Sequence, residues 1–375
     1  MLAGLAVVAV IGATSVPAAG ATETGKRLQA ALDEVMEPPE GPPGISVLIQ
    51  RGRDTQYLRR GQADLSTGQP PTRQQHYRIA SMAKAFNGAV ALALVSRDRL
   101  ELSDTIGELL PGVLPLAEDV TLAQALQHTA ALPDYIKDDD FLDVLMSDPT
   151  QYLTPLELVE FVAHTEPEFD PGERYQYSDT DNVIVGLMAE AATGKTYDEL
   201  LQRYVYSKAG LENTTLPITV AMPAPYLHGY EVPVGAPPVD VSELINPALA
   251  WASGGIVSNA VDVGRFFRAY VGGDLFNAKT RRAQEDFIIG SSSPPGPGRN
   301  RATLGLFRYK TQCGTVFGHT GSFPGYRLFA ASNRAGNRSV VFTVNAQIVP
   351  PDSGSQEVSD LIRFAQVDAV CHALR

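Results

Sequence analysis

Residues 81–97, SMAKAFNGAVALALVSR, decide the fold, because this stretch is apolar nearly all round. That pattern is typical of a helix buried in the middle of a protein. Ser81 and Lys84 lie three positions apart, so a helix would place both side chains on one face, one turn from each other. The sequence therefore predicts a buried central helix with a serine and a lysine at its beginning.

Strand patterns lie towards both ends of the chain. Residues 44–50 are rich in β-branched and apolar side chains, and residues 55–61 can pair with them as a hairpin. Residues 327–332 and 339–345 predict two further strands, and an amphipathic helix over residues 358–373 follows. We expect an α/β (α+β) fold, in which an antiparallel sheet flanked by helices is built from both chain ends around a mostly helical inserted domain.

The middle of the chain shows helical spacing of apolar residues, in the segments 156–163, 182–193 and 198–206. Asn259 can cap a later helix. We predict one catalytic unit over residues 22–375. Its sheet region covers about residues 22–85 and 250–375, and its helical region about residues 86–249.

The first residues are typical of an export signal. Residues 2–11 form an uncharged apolar run too short to cross a bilayer, and Ala19-Gly20-Ala21 follows. We predict a signal peptide over residues 1–21, although no Lys or Arg precedes the apolar run. The alternative is a buried N-terminal helix. The expected location is secreted, extracytoplasmic and bacterial, with no membrane span.

Composition narrows the function. Hydrophobic residues make up 44% and charged residues 19%, a globular balance, and the formal net charge of -12 argues against nucleic acid or anionic membrane as a partner. The cysteines and histidines show no metal-ligand spacing, so we expect no metal and no cofactor. Cys313 and Cys371 form either one disulfide, as in an exported protein, or two buried thiols. We expect a monomer.

The first candidate for chemistry is the Ser81–Lys84 pair. The chain has no G-x-S-x-G motif, no G-x-G-x-x-G motif and no phosphate-binding G-x-x-x-x-G-K-[ST] motif. Lys84 is the only lysine with a serine three residues before it. A desolvated lysine can accept the proton of a serine hydroxyl and so activate it as a nucleophile. Alternatively, Ser81 caps the helix and Lys84 extends its amine to water.

Two further motifs carry candidate residues. Tyr177-Ser178-Asp179 offers a phenol that can relay a proton; alternatively, Tyr177 packs on a helix that Asp179 or Asp181 caps. The other motif is His319-Thr320-Gly321-Ser322. A glycine at a strand edge lets substrate backbone approach, and the adjacent N–H groups can polarise a carbonyl.

The order S-x-x-K, Y-S-x and H-T-G resembles the serine β-lactamase and penicillin-binding protein superfamily. The surrounding segments are most similar to secreted D-alanyl-D-alanine carboxypeptidases and class C β-lactamases: RIASMAKAF, LAQALQHTAALPDY, YQYSDTDNVIVGLMAEAATGK, SGGIVSNAVDVGRFF and FGHTGSFPGYRL. The likeness extends from about residue 28 to the last helix. It implies the β-lactamase/transpeptidase-like fold.

The resemblance implies catalytic roles. Ser81 would attack a carbonyl and form an acyl-enzyme, and Lys84 and Tyr177 would share the work of the base. The N–H groups of Ser81 and Ser322 would form an oxyanion hole. His319 stands where many relatives carry Lys.

The resemblance also implies binding and structural roles. Thr320 and Ser322, beside Gly321, would hold a substrate carboxylate. Trp251 would line the cleft, or else belong to the core. His128 matches a structural position, and a disulfide between Cys313 and Cys371 is expected.

Two departures from the family pattern bear on the substrate. Asp179, which the resemblance implies as a substrate-binding residue, replaces the usual Asn, and an ionised carboxylate accepts hydrogen bonds but donates none. Phe307 lies near the place where carboxypeptidases often carry an Arg. Arg308, its neighbour, is a candidate for substrate binding. Because neighbouring side chains of a strand alternate between faces, Arg308 could instead point away from the substrate.

The expected function is hydrolysis of D-alanyl-D-alanine ends of peptidoglycan peptides. One alternative is an esterase or β-lactam hydrolase of the same family, which Asp179 motivates. The other is a non-catalytic penicillin-binding relative. The expected partner is a peptide or a small acyl compound.

Overall fold

The structure is a computed structural model that describes residues 22–348 and 353–375. The predicted signal peptide lies outside the described residues. The helices are α1 (Glu23–Met36), α2 (Ala83–Val95), α3 (Ile106–Leu109), α4 (Leu122–Gln127), α5 (Asp139–Ser147), α6 (Pro155–Glu160), α7 (Asp179–Thr193), α8 (Tyr197–Leu201), α9 (Ser207–Ala209), α10 (Trp251–Gly254), α11 (Ala260–Gly272), α12 (Ala278–Ala283) and α13 (Ser353–Leu374). The strands are β1 (Gly44–Arg51), β2 (Asp54–Gly61), β3 (His76–Arg78), β4 (Tyr230–Glu231), β5 (Val239–Asp240), β6 (Val257–Asn259), β7 (Arg299–Thr303), β8 (Leu306–Thr311), β9 (Gly314–Phe323), β10 (Tyr326–Ser332) and β11 (Arg338–Val344).

The main sheet has seven strands in the order β2-β1-β11-β10-β9-β8-β7, and every neighbouring pair is antiparallel. Strands from the two chain ends meet where β1 pairs with β11, for example at Val47 opposite Phe342. The expected antiparallel sheet built from both ends, with helices between, is therefore confirmed. The proposed boundaries of its sheet and helical regions stay a prediction.

Helices cover both faces of the sheet. Because side chains alternate along each strand, the same strand contributes apolar side chains to both of the resulting cores. Along β10, Leu328 and Ala330 contribute to the core shared with α2, α7 and α11, whereas Phe329 and Ala331 contribute to the core shared with α1 and α13. The helix α2 is buried over residues 83–94. The predicted central helix is therefore in place. It follows directly after the short 3₁₀ turn Ala80–Met82, which places Ser81 at the surface of this core.

Two smaller expectations are also answered by the structure. Asn259 caps α11 by accepting a hydrogen bond from the backbone N–H of Asp262 at 2.9 Å. Cys313 and Cys371 are joined by a disulfide, which ties the turn before β9 to the end of α13. Within the described part of the chain, no helix has the length and the apolar character needed to cross a membrane.

Candidate active site

Ser81 lies on the 3₁₀ turn that precedes α2. Ala80 and Met82 on either side are buried, whereas Ser81 is partly exposed. Ala80 has a φ of 52°, in the left-handed region that residues with a Cβ rarely adopt. This conformation turns the chain sharply before the helix and presents the Ser81 hydroxyl at its positive end, where developing negative charge is favoured.

The Lys84 ammonium is buried one turn further along, with its side chain only 1% exposed. Its Nζ donates to Ser81 Oγ at 3.2 Å, to Asp179 Oδ1 at 2.7 Å and to the Ser253 carbonyl at 3.0 Å. These three contacts use all three ammonium protons. Lys84 is therefore held beside the Ser81 hydroxyl as part of a buried ion pair, and its amine does not extend to water.

Asp179 is the first residue of α7, directly after the second motif. One carboxylate oxygen accepts from Lys84, while the backbone N–H donates to Asp134 Oδ1 at 2.9 Å. Ser178 is the residue at the helix N-cap, and it makes no side-chain cap hydrogen bond. The alternative in which Asp179 or Asp181 caps this helix is therefore wrong, because both carboxylates are engaged with buried cationic or imidazole partners.

The Tyr177 phenol is the third member of the cluster. Its hydroxyl is buried and has no hydrogen-bond partner among the described residues, and Lys84 Nζ lies 4.9 Å from its ring centroid. Burial raises the pKa of Tyr177 well above its usual value and nearby Asp179 adds to this, while the Ser81 side chain acts in the opposite direction. Tyr177 is therefore a neutral phenol close to Ser81.

A buried pair, His128 and Asp181, packs against the Tyr177 ring through the imidazole. The His128 and Tyr177 rings stack with centroids 4.6 Å apart, and His128 Nδ1 lies 2.9 Å from Asp181 Oδ2. Burial lowers the pKa of His128 well below its usual value and raises that of Asp181 well above it. The pair packs against the ring of Tyr177, which agrees with a structural position for His128.

The third motif lies on β9, where one edge of the strand is open. The ladder with β8 ends at Phe307 opposite Gly318, whereas the ladder with β10 continues to Phe323. A Cβ at Gly321 would lie 2.7 Å from the Ile79 carbonyl oxygen and 3.4 Å from Ser81 N. Gly321 is therefore required by the close approach of the Ser81 turn, which brings the backbone of the two motifs together.

The hydroxyls of the third motif differ in their availability. Thr320 is buried, and its Oγ1 donates to the Pro294 carbonyl at 2.7 Å. Ser322 lines the same cavity as Ser81, and its Oγ accepts from Gln347 Nε2 at 3.2 Å. Thr320 is thus covered by the loop that contains Pro294, and only Ser322 presents its side chain to the cavity.

His319 is a buried neutral imidazole. Its Nδ1 lies 2.6 Å from the Thr320 carbonyl, and the Phe307 ring packs edge-on with centroids 4.9 Å apart. Burial lowers the pKa of His319 to about 3, although the carbonyl contact acts in the opposite direction. At neutral pH, His319 therefore lacks the positive charge of the lysine that many relatives carry there.

This pKa predicts an acid-sensitive fold. Above pH 6.5 the His319 ring is neutral in both the folded and the unfolded protein. Between pH 6.5 and 3 the ring is protonated in the unfolded chain but stays neutral in the folded protein. We expect the free energy of unfolding to fall between pH 7 and pH 4 by about 3 kcal/mol more in the wild type than in His319→Gln. Urea unfolding at several pH values measures this, with the exposed His164→Gln as the control. Parallel curves for wild type and His319→Gln would contradict the prediction.

Two candidate residues lie away from this cluster. Trp251 is buried and packs on Tyr197, with ring centroids 4.9 Å apart, and against Gly186. It belongs to the core, the second of the two interpretations. Arg308 lies over the Phe287 ring and lines a cavity separate from the one at Ser81. Its side chain points to the face of β8 opposite that of Phe307, because neighbouring residues of a strand alternate between faces.

The cleft at Ser81 has two arms that share Ser81, Ile136, Asp179, Ser322 and Gln347. The polar arm has a volume of about 570 Å³ and is also lined by Asp134, Lys137, Arg327, Gln356, Asp360 and Arg363. The apolar arm has a volume of about 280 Å³ and is also lined by Phe141, Leu145, Ile245, Leu249, Phe323 and Pro324. Ser81 therefore lies where a polar and an apolar subsite meet.

Most residues of these arms could not be identified from the sequence. They come from loops and helices far apart in the chain, so no motif groups them. One signal was present: Arg327 interrupts the otherwise apolar strand segment YRLFA. A charged side chain in a buried strand needs a partner or a function.

Comparisons with known proteins agree with this geometry. The model of the Beta-lactamase family matches residues 28–361. A β-lactamase of Pseudomonas fluorescens is 26% identical over 190 residues, covering 50% of each chain. Penicillin-binding protein 4 of Amycolatopsis lactamdurans is 26% identical over 239 residues, 61% of this chain and 59% of that protein. The chain thus spans about half to three fifths of the length of these relatives.

Solved structures support the same assignment over more of the chain. A D-stereospecific amidohydrolase from Streptomyces sp. superposes with a TM-score of 0.77 at 28% identity, covering 88% of this chain and 97% of the other. The family model covers most of the chain, and the Ser81, Tyr177 and His319 motifs converge at one cleft. The chain therefore belongs to the Beta-lactamase family, the superfamily of serine β-lactamases and penicillin-binding proteins.

Proposed function

We propose that this serine hydrolase is a D-alanyl-D-alanine carboxypeptidase that works through an acyl-enzyme at Ser81. One observation carries the proposal of acyl transfer: Ser81 Oγ lies 3.2 Å from a buried lysine, at the junction of a polar and an apolar arm. The apolar arm would take the acyl side of the substrate. The polar arm would take the leaving D-alanine.

Activation of Ser81 requires a proton to leave Lys84 first, because all three ammonium protons are used in donation. Asp179 Oδ1, at 2.7 Å, is the acceptor within reach. Transfer of one proton to Asp179 would leave a neutral amine beside Ser81, which can then take the hydroxyl proton as the serine attacks the carbonyl carbon. Tyr177 would pass a proton to the leaving amine and recover it from Lys84.

The negative charge that develops on the attacked carbonyl needs donors close to Ser81. The N–H groups of Ser81 and Ser322 would serve, since Gly321 lets β9 approach the Ser81 turn closely. Water would then hydrolyse the acyl-enzyme and release the shortened peptide.

An extracytoplasmic substrate fits the remaining features. The Cys313–Cys371 disulfide is of the kind that persists in oxidising compartments. A net charge of -12 suits a soluble enzyme acting on small or peptide substrates better than one bound to polyanions. We therefore propose that the protein acts outside the cytoplasm, on peptidoglycan stem peptides.

The test uses a diacetyl-L-Lys-D-Ala-D-Ala peptide and measures the release of D-alanine. We expect the wild type to release D-alanine from this peptide and no L-alanine from the D-Ala-L-Ala isomer, which serves as the stereochemical control and whose terminal residue is L-alanine. Absence of release with folded protein at high enzyme concentration would refute the carboxypeptidase.

A second function is favoured by Asp179. A carboxylate at this place accepts hydrogen bonds only, and it would suit a substrate that donates from a charged α-amino group better than an Asn would. The structural likeness to a D-stereospecific amidohydrolase supports the same choice. The second candidate is therefore an amidase or esterase for D-amino acid derivatives.

The two candidates differ in which end of the substrate must be free. The amidase predicts cleavage of D-phenylalanine amide, and loss of that cleavage when the α-amino group is acetylated. The carboxypeptidase predicts no cleavage of either amide, because neither carries a free terminal carboxylate. If fluorescent penicillin and a fluorophosphonate both fail to label Ser81, the chain is a non-catalytic relative and both proposals are refuted.

A further inference from the structure

Of the residues expected to hold a substrate carboxylate, only Ser322 lines the cleft, and its side chain carries no charge. Phe307 stands near the position of the family's arginine, and Arg308 lines another cavity. The Thr320 hydroxyl donates to the Pro294 carbonyl. A carboxypeptidase nevertheless needs a cation for the terminal carboxylate of its substrate.

Arg327 of β10 is a buried arginine that lines the polar arm together with Ser81. The whole residue is only 4% exposed. Its Nη1 donates to the Ile348 carbonyl at 3.1 Å and to Ser359 Oγ at 2.7 Å, whereas its Nε has no hydrogen-bond partner among the described residues. A nearly buried guanidinium without a paired carboxylate is costly, and an anion bound in the polar arm would offset that cost.

The strand register places Arg327 next to the reacting groups. Arg327 is directly opposite Ser322 in the β9–β10 ladder, and side chains at such positions lie on the same face with Cβ atoms roughly 5 Å apart. Ser322 in turn accepts from Gln347 and lies on the strand that approaches the Ser81 turn. An anion held by Arg327 would therefore lie on the leaving-group side of Ser81.

The other charges of the polar arm leave this guanidinium available. Lys137 pairs with Asp134 at 3.0 Å, and Lys84 pairs with Asp179 at 2.7 Å. Among the described contacts, Arg327 has no carboxylate within 4.0 Å. Burial lowers the pKa of Arg327 to about 10, while nearby Asp360 acts in the opposite direction. The exposed Arg363 adds a second positive charge to the same arm.

We propose that Arg327 is the specificity-determining residue for a substrate carboxylate on the leaving-group side of Ser81, with Arg363 adding a longer-range attraction. The inference rests on the proposed function, whose substrate it defines as an acyl-D-amino acid with a free terminal carboxylate. The arginine comes from the strand after the H-T-G motif, and it compensates for Phe307 on β8.

The first experiment compares the D-Ala-D-Ala peptide with the same peptide carrying a C-terminal amide. We expect the wild-type kcat/KM to favour the carboxylate by about 10- to 100-fold, and Arg327→Gln to bring the ratio close to one. Each variant is its own control for folding, because the ratio is measured on one protein. Arg308→Gln removes an arginine outside the cleft and should keep the wild-type ratio. The proposal is overturned if the wild type cleaves the carboxylate and the amide peptides with equal kcat/KM. It is also overturned if Arg327→Gln keeps the wild-type ratio.

A second experiment separates the inference from the proposed function. Benzylpenicillin carries a carboxylate and its methyl ester does not, and intact-protein mass spectrometry measures the rate at which each acylates Ser81. If neither peptide is cleaved, the carboxypeptidase fails, but faster acylation by the free acid that is lost in Arg327→Gln still supports the carboxylate site. Equal rates for acid and ester, or no acylation by either, overturn it.

Discussion

Ser81→Ala is expected to abolish acylation and to lower turnover of any accepted substrate by at least about 10⁴-fold. The methyl group that replaces the hydroxymethyl group leaves the turn, the backbone N–H groups and the cleft unchanged, so substrate should still bind. The loss should therefore fall on kcat with little change in KM. Steady-state kinetics and mass spectrometry after exposure to penicillin measure the two effects.

The matched control for this change is Ser103→Ala, an exposed serine outside the cleft. It should retain full activity and full labelling. Labelling of the Ser81→Ala protein at another residue, or turnover within tenfold of the wild type, would show that Ser81 is not the nucleophile.

Lys84→Met is expected to damage both rate and stability. The rate should fall by about 10²- to 10⁴-fold, because the proton of Ser81 loses its acceptor. The free energy of unfolding should fall by about 3 kcal/mol, because Asp179 is left in a buried site without its cation. Kinetics with an activated ester and urea unfolding separate the two quantities.

A double variant distinguishes the catalytic from the structural part of this effect. In Lys84→Met/Asp179→Asn the unpaired carboxylate is removed, so most of the lost stability should return. Activity should not return, because the amine is still missing. Recovery of activity together with stability would mean that Lys84 acts only by holding the site together.

The contacts of Lys84 show where reasoning from the sequence stops. The spacing of Ser81 and Lys84 already predicted that their side chains lie on one helix face, since that depends on the repeat of the helix alone. The ion pair with Asp179, 95 positions later in the chain, depends on how α7 packs against α2. The resemblance suggested Asp179 as a substrate contact, whereas the structure engages one of its oxygens with the lysine.

Trp251 and Arg308 show the same limit. For both residues the sequence left open whether the side chain lies at the substrate or elsewhere. Trp251 fills the core beside Tyr197, and Arg308 faces away because the side chains of β8 alternate. The face to which a side chain points depends on the register of its strand or the packing of its helix, and neither can be read from the sequence.

The sequence by itself determined the central helix, the strands at both chain ends and the order of the three motifs, because these depend on local periodicity and on short segments. Only the tertiary structure decided which charges are paired, that Pro294 covers Thr320 and that Arg327 lines the cleft. Those features depend on side chains brought together from distant segments by the packing of a sheet with helices on both faces. Ser81 could be proposed as the nucleophile from the order of the three motifs, whereas the candidate carboxylate site emerged from the register of β9 and β10.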